Sequence, residues 1–203
     1  MKTYSRTEAI ARMNELAVAN VPFLFIIDYA QERSHIEPLD KIDAATCLFQ
    51  FRKAGNTAAS AMTGTGGIAG RYANPIEWEV TLPSLDAYEH SFGIVRRNLL
   101  AGNSYLTNLT CRVPVTTNLT LKEIFRHSEA LYKLWLKDEF VCFSPEIFVR
   151  IEGGKIKSFP MKGTIDATLP DAEKTLLNDV KEAAEHATIV DLIRNDLSMV
   201  SEN

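Results

Sequence analysis

The chain has 203 residues, 46% hydrophobic and 24% charged, a balance that suits a globular protein with a sizeable core. A net charge of −4 without a Lys/Arg cluster excludes the electrostatic footprint of a nucleic-acid binder. Cys47, Cys111 and Cys142 are odd in number and far apart, which excludes a disulfide framework and zinc-ligand spacing, and the longest apolar run, Val21 to Ile27, is too short to span a bilayer.

In chain order, Ser5 and Glu8 form a capping box before Ile10, Met13, Leu16 and Ala17, so residues 5–19 are predicted to be a helix. Val21 to Tyr29 is β-branched and aromatic and reads as a buried strand; Cys47 to Arg52 alternates and reads as a second. Residues 53–76 are rich in Gly, Ala, Thr and Asn and read as a loop. Trp78 to Leu82 reads as a short strand. Leu85, Tyr88, Phe92, Val95 and Leu99 mark one helix face, with Gly102 placed for a left-handed cap. Tyr105 to Val115 is strand-like, and Tyr105 and Asn108 read as core-packing side chains near an inner sheet face. Thr120 and Glu123 make a second capping box, with Ile124, Phe125, Ala130 and Leu131 following. Phe140 to Phe143, Phe148 to Ile151 and Lys155 to Phe159 read as strands, the last two joined by Gly153-Gly154. Asp171 to about Leu197 reads as helical with a break.

Strands and helices mix without regular alternation, which predicts an α+β fold rather than a doubly wound parallel sheet, in one domain over 1–203. No secretory signal opens the sequence, so a cytoplasmic location and no membrane partner are expected. Gly64-Thr-Gly66-Gly67-Ile-Ala-Gly70 imitates a phosphate loop, but no Lys-Ser/Thr follows at the required spacing and no strand–turn–helix surrounds it.

The second half carries three ordered segments: Phe143-Ser-Pro-Glu146, Pro160-Met-Lys-Gly-Thr164 and Glu185-His-Ala-Thr-Ile-Val-Asp-Leu-Ile-Arg-Asn-Asp-Leu197. They resemble the SPE, PxKGT and AExxMIVDLxRNDL motifs of the chorismate-utilising enzymes, a family that includes anthranilate, isochorismate and salicylate synthases and aminodeoxychorismate synthase component I. Gly102-Asn-Ser-Tyr-Leu-Thr-Asn-Leu-Thr110 resembles a further segment, G-x-x-Y-Q-x-N-L. The resemblance is clear over 84–203, weaker over 1–83, and nearest to the last-named branch. It implies part of that family's fold: antiparallel sheets with flanking helices, lacking its C-terminal portion.

Chorismate is a dicarboxylate whose C4 hydroxyl must leave. Lys162 stands where the resemblance places Ala in anthranilate synthase and Lys in the branch that aminates chorismate at C4, where it is implicated as a nucleophile on C2 of the ring. A free lysine, of pKa ~10.4, needs a desolvated or cation-neighboured site for that work. Read from residue type alone, it is a surface lysine on a turn or a partner for a substrate carboxylate. The resemblance makes Glu146 the general acid/base for the C4 oxygen, for which burial should raise its pKa; otherwise it is an ion-pair partner for Lys155 or Lys157.

Glu185 has Ile189 and Leu192 at i+4 and i+7, on its own helix face. A carboxylate there needs a partner, and the resemblance makes it a Mg²⁺ ligand; the alternative is a solvated carboxylate in a charged stretch with Glu182 at i−3. The Gly163 amide and Thr164 are candidate donors to a substrate carboxylate. Asp191, Arg194 and Asn195, at i, i+3 and i+4, are candidates for a local network that supports the site or touches substrate. His186 sits on a different helical face and reads as exposed.

The resemblance implies chorismate as substrate, a product on the way to 4-aminobenzoate and folate, and ammonia from a separate glutamine amidotransferase subunit, since no Cys–His–Glu glutaminase signature occurs here. It also implies later segments that do not occur here: a His-containing strand, a PxGSxTGAPK stretch and a second metal-binding glutamate. The isolated chain is therefore expected to be inactive or very weak, and completed by further sequence or a second chain. Two other readings stand beside this one: an anthranilate or isochorismate synthase on the same fold, and a non-catalytic remnant that binds a partner.

Overall fold

Ser5 starts helix α1 (Arg6–Val18) through a capping box: its backbone N–H and hydroxyl donate to Glu8 Oε2 at 2.9 and 2.6 Å. This computed structural model describes residues 1–52, 54–57 and 75–202, which fall into two compact units, Met1–Phe143 and Ser144–Asn203. They are taken in turn.

In the first unit α1 buries Ala9 and Leu16 against Ile36 of strand β3 (Ser34–Pro38). β3 lies between β1 (Thr3–Tyr4) and β2 (Phe23–Ile27), antiparallel to both. Register sets the faces. Phe25 stands opposite Ile36 and shares its side, whereas Leu24, opposite Glu37, faces the other way. Leu24 there joins Cys47, Phe49 and Leu136 in a core between this sheet and a second one. The second sheet has the order β5 (Ala54–Gly55), β4 (Cys47–Phe51), β8 (Tyr132–Leu136), β9 (Phe140–Ser144).

Alternation along β4 turns Leu48 to the far side, where it and Trp135 enclose Phe125 of helix α3 (Leu121–His127). The layers thus run helix, sheet, sheet, helix. Burial pushes the Cys47 thiol up to about 11, in keeping with an inert core side chain. A separate antiparallel ribbon pairs β6 (Trp78–Val80) with β7 (Val115–Thr117), flanking helix α2 (Leu85–Leu100), whose cap Ser84 accepts from the Ala87 N–H at 3.3 Å. Gly102 follows at φ +74°, as its position predicts.

Lys133 on β8 is buried, and its ammonium donates to the carbonyls of Phe125 at 3.1 Å and Ser128 at 3.0 Å, closing the end of α3. Desolvation holds its pKa below the usual lysine value of 10.5. Between that lowered value and 10.5 the unfolded chain binds more protons than the folded one, so this group makes stability rise with pH in the alkaline range. Lys133→Met should remove that slope and leave two carbonyls without their donor, lowering stability by about 1–3 kcal/mol. Urea titrations of both proteins across pH 8 to 11 measure it.

In the second unit the hairpin of β10 (Arg150–Glu152) and β11 (Lys155–Lys157) turns on Gly153 and Gly154, at φ +59° and +71°. A two-residue turn with both central residues at positive φ matches strand twist, and glycine adopts it without Cβ strain. Helix α4 (Ala172–Leu177) and helix α5 (Val180–Ser198) follow, the break falling at Asn178–Asp179, where Asp179 accepts from the Glu182 N–H at 3.0 Å. Among the described residues no helix is long and apolar enough to cross a membrane.

The fold is α+β with antiparallel sheets, as composition and pattern predict. Three expectations need correction. Tyr105 to Val115 is not a strand: pairing begins only at Val115, and Tyr105 is 94% exposed and Asn108 exposed rather than core-packed. Among the described residues no partner strand lies against that stretch to take its hydrogen bonds. The helix after Thr120 ends at His127, so Ala130 and Leu131 lie beyond it. Strands β3 and β8 were not anticipated. Of the stretch 53–76 read as a loop, Ala54–Gly55 pairs with β4, while 53 and 58–74, with the segment Gly64 to Gly70, lie outside the described residues.

Candidate functional site

The turn Ser144-Pro145-Glu146 is tied by its own serine: Ser144 Oγ donates to the Glu146 carbonyl at 2.8 Å and lies 3.4 Å from the Glu146 amide nitrogen. Fourteen residues on, Ser158 Oγ donates to the Phe148 carbonyl at 2.9 Å, joining the chain entering the hairpin to the chain leaving it. The Arg150 guanidinium lies 5.7 Å from the Phe159 ring centre. These links bring the segments around Glu146 and Lys162 together. Both residues line one open cavity of about 440 Å³ with Phe148, Phe159, Met161, and Ile189 and Ile193 of α5. Its walls are aromatic and aliphatic side chains with one carboxylate and one ammonium among them.

The burial expected around Glu146 is absent: Glu146 and Lys162 are both exposed, because the cavity is open. No ion pair joins Glu146 to Lys155 or Lys157 among the described residues, so its carboxylate is not committed to the hairpin.

Gly163 shows why this loop needs a glycine. Its φ is +78°, and a Cβ there would come 2.9 Å from Leu176 Cδ1 and 3.1 Å from Glu182 Oε2. Both neighbours are ends of flexible side chains and can rotate; the backbone cost stays. Gly163→Ala should lower the stability of this unit by about 1–2 kcal/mol and displace the adjacent Lys162, measurable by denaturant titration and by the amide exchange of residues 160–164. Thr164 is exposed beside it.

On α5 the sheltered row is Glu182, Glu185, Ile189, Ile193 and Leu197, all half-buried. Ile189 shares that row with Glu185 as predicted, but Leu192 does not: it is 49% exposed, and Ile193 takes its place in the cavity. From Glu185 on the covered row follows steps of four, which wind gradually around the helix, so i+8 rather than i+7 meets the neighbour.

Glu185 does not line the cavity. Its carboxylate and that of Glu182 both hold the Lys181 ammonium, at 3.2 and 3.1 Å, and Glu182 followed by Glu185 keeps that lysine's pKa above its usual value. Glu182, at i−3 from Glu185, shares that lysine and stands on the same sheltered row. Two carboxylates that share one cation are a donor set of the kind Mg²⁺ takes, and here the Lys181 ammonium holds that place. Among the described residues no cluster of three or more His, Cys, Asp or Glu side chains gathers as a metal site.

Asp191 and Arg194 form the predicted i, i+3 pair at 2.6 Å, with both side chains mostly exposed. Asn195 instead offers its backbone carbonyl to Ser198 Oγ at 2.7 Å. None of the three lines the cavity. His186 is exposed, as expected.

The open cavity thus takes Ile189 and Ile193 from α5 and is bordered by the segments that carry Glu146 and Lys162. Residues 50–203 match the family model of the chorismate binding enzymes. The chain belongs to that family. It is 42% identical over 194 residues to the "Uncharacterized PabA-like protein" of Haemophilus influenzae, covering 96% of this chain and 56% of that protein. It is 25% identical over 211 residues to aminodeoxychorismate synthase component 1 of Klebsiella aerogenes, covering 98% of this chain and 44% of that one. To anthranilate synthase component 1 of Spirochaeta aurantia it is 33% identical over 129 residues, covering 58% and 27% respectively. The chain spans about half the length of the curated relatives it matches end to end. No solved structure gives a significant match.

Proposed function

We propose that this chain is the part of an aminodeoxychorismate synthase component I that carries the amine and the acid of the reaction, converting chorismate to 4-amino-4-deoxychorismate on the route to 4-aminobenzoate and folate. The observation that supports this reading is the presence of Lys162 and Glu146 in the lining of one cavity. In its neutral form the Lys162 amine adds to C2 of the ring, both ring double bonds shift, and the C4–O bond breaks. The departing oxygen takes a proton from the Glu146 carboxyl and leaves as water. Ammonia then adds at C4 with the reverse shift, the C2–N bond breaks, and the lysine is restored. The proton that Lys162 loses in the first stage passes to the Glu146 carboxylate; in the second the leaving lysine nitrogen takes a proton from Glu146, which recovers one from the ammonium formed at C4, so atoms and charge balance.

The Gly163 amide and Thr164 lie next to Lys162 in sequence and are proposed to hold a substrate carboxylate. Glu185, with Glu182, would hold Mg²⁺, which when bound offsets the charge of a substrate carboxylate. Asp191, Arg194 and Asn195 are proposed to support α5 rather than to touch substrate, since none lines the cavity. Ammonia would come from a glutamine amidotransferase subunit.

One observation favours a second reading. The matched stretch is more similar to the Spirochaeta aurantia anthranilate synthase component than to the Klebsiella aerogenes protein, 33% against 25% identity, though over a shorter span. Product identity separates the two. The chain, co-expressed with the part of the Haemophilus influenzae relative that has no counterpart here, is given chorismate, ammonia and Mg²⁺. 4-Amino-4-deoxychorismate supports the proposal; anthranilate or isochorismate overturns it in favour of the second reading.

A further inference from the structure

Gly163 differs from the other described glycines at positive φ. A Cβ on Gly102, Gly153 or Gly154 would meet nothing within 4 Å, so those positions need only the freedom of the backbone. Gly163 is closed in on two sides as well. The place of its absent Cβ lies 2.9 Å from Leu176 Cδ1, 3.1 Å from Glu182 Oε2 and 3.5 Å from Glu182 Cβ, the last a stem atom and not a rotatable end. Leu176 belongs to α4 and Glu182 to the first turn of α5, one on each side of the break at Asn178–Asp179. Both are half-buried, whereas the neighbouring Leu177 is 73% exposed. The break is itself tied from both sides: Asn178 Nδ2 donates to the Lys174 carbonyl at 2.7 Å, and the Asp179 side chain accepts from the Glu182 N–H at 3.0 Å.

Gly163 directly follows Lys162, which lines the cavity. Among the described residues no hydrogen bond or ion pair holds the Lys162 ammonium. A flexible four-carbon stem without a partner is aimed only by the backbone that carries it. We propose that Leu176 and Glu182 are positioning residues for Lys162: from the two sides of the α4–α5 break they grip Gly163, and so fix the backbone from which the lysine reaches the cavity. The proposal rests on the reading of Lys162 as the nucleophile, and it gives Glu182 a role apart from any metal.

The test is the backbone order of Gly163 in the 203-residue chain, measured by nitrogen relaxation in metal-free buffer without substrate. In the unaltered chain Gly163 should be rigid, with an order parameter of about 0.85, falling below ~0.6 in Leu176→Ala and in Glu182→Ala. Glu182→Gln keeps the stem and the bulk of the head and should stay rigid. Leu177→Ala and Glu185→Ala should match the unaltered chain, and residues 150–157 should keep their order in every variant. In the complemented protein, Leu176→Ala should lower kcat ~10- to 100-fold with little change in KM, the cost of a small misplacement of a reacting group. The proposal is overturned if Gly163 is as mobile in the unaltered chain as in Leu176→Ala, or if Leu177→Ala or Glu185→Ala loosens it equally. It is also overturned if residues 150–157 lose order together with Gly163, or if Leu176→Ala raises KM at an unchanged kcat. The relaxation measurement involves no substrate, so its failure is distinct from a failure of the proposed reaction, which product identity decides.

Discussion

Lys162→Ala, assayed in the complemented protein, should reduce formation of 4-amino-4-deoxychorismate by at least ~10³-fold and eliminate the covalent lysine adduct that mass spectrometry is expected to detect in the unaltered protein. The size of the effect follows from the role. An amine that forms and breaks a bond to the ring cannot be replaced by a methyl group, whereas a lysine that merely pairs with a substrate carboxylate loses mainly binding. The two roles separate in the kinetics: loss of the nucleophile falls on kcat, loss of the ion pair on KM. Lys155 and Lys157 on the hairpin are the controls, being exposed lysines absent from the cavity lining. Their replacement by alanine should leave turnover unchanged. A Lys162→Ala enzyme with an undiminished kcat would remove the nucleophilic role.

Phe125→Ala should have the largest effect on stability. The ring is 1% exposed and lies among Leu48, Trp135, Leu121 and Val141, with the Lys133 ammonium 4.8 Å from its centre. Its removal leaves a cavity between α3 and the second sheet and exposes a buried cation's surroundings. The expected cost is about 3–5 kcal/mol, a large share of the stability of an ordinary domain. Urea denaturation should show the midpoint falling with an unchanged slope. Phe148→Ala is the comparison, since that ring is 80% exposed and its loss should change stability by no more than about 0.5 kcal/mol.

The parts of the fold that could be read from the sequence are those set by near neighbours. Ser5 with Glu8 and Thr120 with Glu123 mark helix starts within four residues, and Gly153-Gly154 sets its hairpin within two. Strand β3 is different. Ser34-His-Ile-Glu-Pro38 has one large aliphatic side chain, and Ser34 and His35 are buried by partners distant in sequence, β1 and β2 beside them and Glu139 3.9 Å from His35. Strand β8 was hidden by Lys133, whose charge suggests a solvent face until α3's free carbonyls are placed beside it. Tyr105 to Val115 shows the opposite case: its composition favours a strand, and among the described residues none pairs with it before Val115.

The site divides in the same way. Glu146 and Lys162 were singled out by their motifs, but the shelter expected around them depends on walls that no local pattern specifies. Ile193 was missed because the row of α5 that faces the cavity depends on its packing and not on the helical period alone.

The most direct measurement is competitive labelling of lysines by an amine-reactive reagent, read residue by residue by mass spectrometry, on the 203-residue chain with and without excess chorismate and Mg²⁺. Selective protection of Lys162, with Lys155 and Lys157 labelled at unchanged rates, is the predicted result. Equal labelling of all three in both conditions would contradict the claim that the cavity between Glu146 and Lys162 receives the cyclic diacid.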